Sequence, residues 1–207
     1  MKSTYANEGK LFVISGPSAA GKGTICKELV KHCDVDVSIS MTTRSPRTSE
    51  EEGREYFFKT EDEFRKQIDE GNLLEYATVY GNMYGTPKDM VLKKLATNRN
   101  VILEIDIQGG LQVRKSFPNS ILIFVLPPSL EELRSRIVGR NTEDETQIEN
   151  RINKARSEIA LIGEYDYYVV NDDLEEAVRG IKGIIDAEAH RVPGDIDPIL
   201  KRYGEEN

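Results

Sequence analysis

The stretch Leu11-Phe-Val-Ile-Ser-Gly-Pro-Ser-Ala-Ala-Gly-Lys-Gly-Thr24 decides the fold. Leu11 to Ile14 is a short, continuous apolar run, which reads as a buried parallel strand. Gly16, Pro17, Ser18, Ala19, Ala20 and Gly21 are all small, and several suit an unusual backbone. From Lys22 onward Ile25, Leu29 and Val30 recur at helical spacing. Strand, glycine-rich turn, lysine and helix in that order make a phosphate cradle. Backbone N–H groups curl around an anion at a helix N-terminus, and the lysine ammonium reaches the outer phosphates. An ordinary strand-to-helix turn can also contain glycines and a lysine, but the element order and the Gly16–Gly21–Lys22 spacing favour phosphate binding. The position after the lysine, where the general pattern has a Ser or Thr for Mg²⁺, is Gly23. Thr24 follows, and a hydroxyl one place along a helix points elsewhere.

The rest of the composition sets bounds. The chain has 207 residues, enough for one domain with a substantial core. Its net charge of −8 argues against a nucleic-acid binder built on a broad basic face. No run approaches membrane-spanning length, and the first nine residues, with Lys2 and Glu8, do not read as a signal peptide. Cys26 and Cys33 are too few for a disulfide framework. His32 and His190 sit in charge-rich helical segments and read as surface residues. The expectation is a cytoplasmic protein with no membrane or nucleic-acid partner.

Along the chain, Val35, Val37 and Ile39 alternate with polar residues as a half-exposed strand. An acidic loop then leads to Tyr56-Phe-Phe58. Thr60 and Glu63 form a capping-box signal for a helix ending near Glu70. Leu73 to Tyr80 is strand-like, and Gly81 to Pro87 reads as a turn opening the next helix. Val101 to Asp106 is a second core strand, followed by a helix from Gln108 to Phe117. Ser120 to Leu126 is a third strand, and Ser129 caps a further helix. Residues 139–146 interrupt a long polar helical region that runs to about Ile162. Asp166 to Val170 is a last core strand, and Asp173 with Glu176 marks the start of a helix reaching His190. Strands alternating with helices predict an α/β fold with a parallel sheet covered on both faces. The segments near 35–97 and 139–154 break that rhythm and read as an inserted mixed lobe and a short lid. The expected core comprises 10–34, 98–138 and 155–190 of a single domain over 1–207, with a tail at 192–207.

Read together, the phosphate cradle, Ser40-Met-Thr-Thr-Arg44-Ser-Pro-Arg47, Tyr56, Glu75, Gly81-Asn-Met-Tyr84-Gly-Thr86 and Ile105-Asp106-Ile-Gln-Gly109 resemble guanylate kinase from about Lys10 to His190. Glu104 stands where many members have a second Asp, and Asn141 replaces a glycine common after the lid arginine. The resemblance implies a P-loop NTPase-type sheet, an inserted GMP-binding lobe and the reaction ATP + GMP = ADP + GDP, with dGMP a further acceptor. ATP would meet Gly16, Pro17, Ser18, Ala19, Ala20, Gly21, Lys22, Gly23, Thr24, Arg140 and Asn171. GMP would meet Ser40, Arg44, Arg47, Tyr56, Glu75, Tyr84, Thr86 and Asp106. Lys22, Arg44, Arg140 and Arg151 would carry catalysis. Mg²⁺ is the implied cofactor, with Thr24 and Asp106 as its candidate holders, directly or through water.

Chemistry alone supports these roles unevenly. Two arginines three apart with two tyrosines make a good dianion clamp, because guanidinium matches phosphate oxygens in a fork. They read equally well as solvated arginines offsetting Glu50, Glu51 and Glu52. Glu75 in an apolar strand reads first as an outward residue. Yet guanine offers two adjacent donors that a carboxylate accepts side by side, and adenine does not. Asp106 suits a Mg²⁺ water, a guanine amino group or a helix cap. Arg136, Arg140 and Arg151 are ordinary surface arginines or the cations that arrive when a site closes on a transferring phosphoryl group. Rival readings are a catalytically dead protein-binding module, against which the intact Lys22 and glycines stand, and a kinase for another monophosphate.

Overall fold

The computed structural model describes residues 9–79, 81–139, 144–192 and 194–204, except for the side chains of Pro198 and Arg202. Five strands form a wholly parallel sheet in the order β2-β7-β1-β8-β9: β1 (Leu11–Ser15), β2 (Val35–Val37), β7 (Asn100–Glu104), β8 (Ile121–Leu126) and β9 (Tyr167–Val170). The central strands are apolar on both faces, as a sheet covered on two sides requires. One face packs on α1 (Lys22–His32) and α7 (Leu174–Glu188), burying Ile25, Leu29, Ile181 and Ile185 with Phe12 and Ile14. The other buries Leu11, Val13 and Leu103 with Val91 and Leu95 of α3 (Lys88–Ala96) and Val113 of α4 (Ile107–Ser116).

A second, four-stranded sheet has the order β4-β3-β6-β5: β3 (Ser40–Thr42), β4 (Tyr56–Phe58), β5 (Leu73–Val79) and β6 (Asn82–Pro87). Helix α2 (Glu61–Asp69) carries the reciprocal capping box of Thr60 and Glu63 expected from sequence and buries Phe64 completely. A third apolar cluster joins α5 (Leu130–Val138) to α6 (Glu145–Ile159) through Leu133, Ile137, Ile148 and Ile152. Arg134 reaches from α5 to Glu145 and Glu149, bracing the two helices.

Three sequence expectations are corrected. The Val35–Ile39 alternation is not one strand: β2 belongs to the parallel sheet, and the second sheet begins at Ser40, so the inserted lobe starts later than residue 35. Asn82–Pro87 is a strand, not a turn, because its backbone groups are claimed on both sides by β3 and β5. The segment beyond 192, read as a tail, contains α8 (Asp197–Gly204), whose Leu200 and Tyr203 remain exposed.

One buried carboxylate ties the ends of the main sheet together. Glu188, 2% exposed, accepts from Lys10 Nζ before β1, from Tyr167 Oη in β9 at 2.7 Å and from Arg191 Nε at 2.8 Å. Burial opposes its charge, but these donors together hold its pKa down, to about 2. A depressed folded-state pKa stabilises the protein above the unfolded value, near ~4.3, and that stability is lost as pH falls toward the folded value. Glu188→Gln is therefore expected to cost about 3 kcal/mol at neutral pH. It should also flatten the loss of stability between pH ~4 and ~2. Denaturant melts across pH check this, and a variant with the wild-type acid profile contradicts it.

Candidate active site

Between the two sheets lies a cleft of about 680 Å³, with α6 along one side. At its floor is the loop from Gly16 to Gly21, whose shape needs its glycines. Gly16 has φ +147° and passes so close to β8 that a Cβ would lie 2.2 Å from the Val125 carbonyl oxygen. Gly21, with φ +92°, would meet Asn171 Nδ2 at the same distance. Ala19 also takes a left-handed conformation, φ +67°. Lys22 Nζ turns back on the loop and donates to the carbonyls of Gly16 at 2.6 Å and Pro17 at 2.9 Å. Burial lowers its pKa, opposed by the fields of Glu104, Glu158 and Asp106. The arrangement is an amide-lined cup at a helix N-terminus with one ammonium held at its lip.

Opposite the cup, the second sheet presents the clamp residues. The Arg44 guanidinium lies over the Tyr56 ring, 5.4 Å from its centroid, and Tyr56 meets Tyr84 edge-on at 6.0 Å. Arg47 and Ser40 also line the cleft. As the alternative reading has it, Arg44 offsets Glu50, Nη2 donating to both carboxylate oxygens, but it is not solvated, its side chain being only 18% exposed.

Deeper in the lobe, Glu75 is 4% exposed and lines the cleft with a carboxylate. Thr86, buried beside it, donates its hydroxyl to Glu75 Oε1 at 2.6 Å. Asp106 accepts from the Gly109 N–H at 2.9 Å, so it is a helix cap and also a wall of the cleft. Both acids crowd Gly109, where a Cβ would sit 2.4 Å from Glu75 Oε2 and 3.3 Å from Asp106 Oδ1. A side chain there would push the Glu75 carboxylate from its place. Burial pushes the Glu75 pKa up to about 7, with the Asp106 charge adding to the rise and the Thr86 bond opposing it.

Other expected residues fall less evenly. Arg151 lines the cleft from α6 together with Lys154 and Glu158. Arg140 lies outside the described residues, as does Asn141. Thr24 is exposed on α1 and is not among the residues lining this cleft. Asn171, also not among them, is buried beneath the loop and donates Nδ2 to the Ala20 carbonyl at 2.8 Å. Its own carbonyl accepts from Arg136 Nη2 at 3.0 Å. This pair therefore braces the loop from below. Two acids escaped the sequence reading as site residues. Glu104 is open to the cleft on one side and ringed by protein on the others, which raises its pKa against the pull of Lys22 and Lys27. Its Oε1 lies 3.2 Å from where a Gly23 Cβ would be. Glu50 is the other; an acid six residues after the first clamp arginine, across a proline-bent loop, was the available signal.

Comparison with known proteins bears on the family and the fold. Residues 8–188 match the family model described as guanylate kinase. A guanylate kinase of Caldanaerobacter subterraneus subsp. tengcongensis is 52% identical over 195 residues, covering 94% of this chain and 95% of that one. One from Clostridioides difficile is 47% identical over 203 residues, covering 98% and 99%. The crystal structure of guanylate kinase from Anaplasma phagocytophilum superposes with a TM-score of 0.78 at 31% identity, covering 92% of this chain and 91% of that one.

The Glu75 environment can be tested without any ligand. Thr86→Val removes a bond that favours the ionised form, so the Glu75 pKa should rise above about 7. Asp106→Asn keeps a capping side chain but removes a like charge, so it should fall. Carboxyl ¹³C NMR titration reads both, and shifts of the opposite sign contradict the assignment.

Proposed function

The chain belongs to the guanylate kinase family, and from that premise we propose how its cleft carries out the reaction. The protein is a phosphotransferase that uses ATP to convert GMP to GDP. In the proposed arrangement ATP lays its phosphates in the cup of Gly16 to Thr24, with Lys22 at the outer ones. GMP enters from the second sheet, its phosphate between Arg44, Arg47, Tyr56 and Tyr84 and its base against Ser40, Glu75, Thr86 and Asp106. The readers named address guanine and phosphate only, so dGMP is included as an acceptor.

One observation carries the reading: a buried carboxylate faces the cleft at the end away from the phosphate cup. Burying Glu75 is costly unless donors satisfy its charge, and the donors the structure gives it, the hydroxyl and backbone of Thr86, do not outweigh burial. Guanine N1–H and its amino group supply two more donors side by side. Adenine at N1 has an acceptor and leaves the carboxylate badly paired, so the same group that binds GMP rejects AMP.

The acceptor phosphate has a second ionisation near pH ~6, so it is already a nucleophile at neutral pH. No side chain need remove a proton. What the protein supplies is alignment and fixed positive charge, from Lys22, Arg44, Arg151 and Arg140, where phosphoryl charge spreads in the transition state. Closing the lobe and the 139–154 lid over the cleft would bring the α6 cations in and exclude water.

Nucleotide kinases generally use Mg²⁺, and we assign it here as the cofactor. Mg²⁺ keeps several waters and takes one or two carboxylates together with substrate phosphates. Among the described residues no group of three or more ligands gathers, and the donor set fits that pattern. Glu104, open to the cleft beside Gly23, and Asp106 are the carboxylates that would hold it through water. When bound, the ion would neutralise charge on the transferring phosphate oxygens. Thr24 is placed unfavourably for this. We further propose a cytoplasmic setting, in which the unpaired thiols of Cys26 and Cys33 stay reduced.

Steady-state kinetics with GMP, AMP, CMP and UMP test the base assignment. Glu75→Gln should lower kcat/KM for GMP roughly 100-fold, with KM for ATP within about threefold of wild type. The wild-type KM for GMP should rise as pH falls through about 7, because the protonated carboxyl accepts poorly, and the variant should lack that rise. Unchanged GMP kinetics in the variant would remove the assignment.

A further inference from the structure

The loop from Arg44 to Glu50 has its own internal logic, which centres on a carboxylate. Glu50 is 11% exposed in its side chain, and Arg44 18%, so their pairing is shielded from bulk water. Arg44 Nη2 donates to both Glu50 oxygens at 2.9 Å. Glu50 Oε2 also accepts from the Arg47 backbone N–H at 2.8 Å, and the Glu50 N–H returns a bond to the Arg47 carbonyl at 3.0 Å. The Arg47 side chain is 73% exposed and its Nη1 lies 3.9 Å from Glu50 Oε1. One acid thus contacts the side chain of the first clamp arginine and the backbone of the second.

We propose that Glu50 is a positioning residue for the acceptor phosphate, fixing the Arg44 guanidinium over the Tyr56 ring and setting the turn that carries Arg47. This rests on the reading of Arg44 and Arg47 as the GMP phosphate clamp.

The donor count of arginine makes the role specific. A guanidinium has five N–H groups in a rigid plane. Nη2 faces both Glu50 oxygens, Nη1 donates to the Ser45 carbonyl at 2.8 Å, and the Tyr84 hydroxyl forms a further bond with the guanidinium. These bonds fix the plane in which its remaining N–H capacity can meet a ligand. The guanidinium is therefore anchored along one edge, and less orientational freedom is lost when phosphate binds. Partial burial opposes the charge on Glu50. The Arg47 N–H and the Arg44 guanidinium outweigh it and keep its pKa below the usual range, so the anchor stays ionised at neutral pH. The opposing idea is that Glu50 only occupies the clamp as a stand-in anion that substrate must displace. The two predict opposite signs. Removing an anchor weakens GMP binding, and removing a competitor strengthens it.

The experiment is a double-mutant cycle of Glu50→Gln and Arg44→Ala in the full chain, with KM for GMP and for ATP read separately. Glu50→Gln alone should raise KM for GMP about tenfold, with KM for ATP unchanged, and Glu50→Asp should recover part of the loss. In the Arg44→Ala background the same Glu50 substitution should change KM for GMP by clearly less than the roughly tenfold seen in the wild-type background, because only its route through the Arg47 turn remains. A lower KM for GMP in Glu50→Gln overturns the inference in favour of the competitor. Full additivity of the two changes overturns it in favour of a loop-folding role that does not pass through Arg44. If Arg44→Ala itself leaves GMP kinetics unaltered, the clamp reading fails and takes this inference with it. If Arg44→Ala is damaging and Glu50→Gln is not, only the inference fails.

Discussion

The ammonium of Lys22, turned onto the carbonyls of its own loop, is the interaction the rest of the structure is arranged around. Those bonds, at 2.6 and 2.9 Å, hold a cation where burial disfavours it, and the nearby acids Glu104, Glu158 and Asp106 offset part of the cost. The loop holds this shape because its glycines let β8 and Asn171 press against it more closely than any side chain permits. Arg136 holds Asn171 in turn, so α5 and the end of β9 support the cup from behind. In the proposed arrangement an arriving triphosphate would meet amides and a cation already in place, which would save reorganisation at the moment of transfer.

The join between β7 and α4 links this cup to the other end of the cleft. Glu104 approaches Gly23 at the start of α1, whereas Asp106, two residues on, lies with Glu75 against Gly109. A single strand end therefore places one carboxylate beside Gly23 and another beside Gly109, the sides proposed for phosphate and base. The second sheet completes the site by carrying Arg44, Tyr56, Tyr84, Glu75 and Thr86 on adjacent strands or their connecting loops. Mutual pairing decides how each charge can be used. Arg44 is anchored and so presented in one orientation. Glu75 is buried with donors from Thr86 alone that do not outweigh burial, and so favours a ligand that brings more.

Much of this was readable in the residues. Continuous apolar runs located β1, β7 and β8, and capping patterns at Thr60, Ser129 and Asp173 located helix starts that the structure shows with side-chain caps. Their signals are local, so a linear reading finds them. Strand β9, expected as a core strand, is the sheet's edge with Tyr168 and Val170 exposed, because among the described residues no further strand pairs beyond it. Asn82–Pro87 was misread because Gly81, Asn82, Gly85 and Pro87 are turn formers by type, and only pairing with β3 and β5 makes the segment a strand. The division of Val35–Thr42 between two sheets is likewise a tertiary matter that alternation cannot express. Glu50 and Glu104, both noticed in the sequence, were not counted as site residues for a different reason. An acid among acids, or at the end of a strand, has no pattern of its own, and its role depends on which cation or glycine the fold brings to it. Asn171 was expected at the nucleotide and is found bracing the loop that would hold it.

The central claim is that one continuous cleft seats two nucleotides with their phosphates meeting above the Lys22 cup. Calorimetric titration with a single compound joining adenosine to guanosine through a polyphosphate chain tests this most directly. The account predicts one molecule bound per chain, displaced by ATP and by GMP alike, with an affinity at least about 100-fold above either nucleotide alone, as expected when two linked sites are filled at once. An affinity no better than that of ATP, with no competition from GMP, would contradict it.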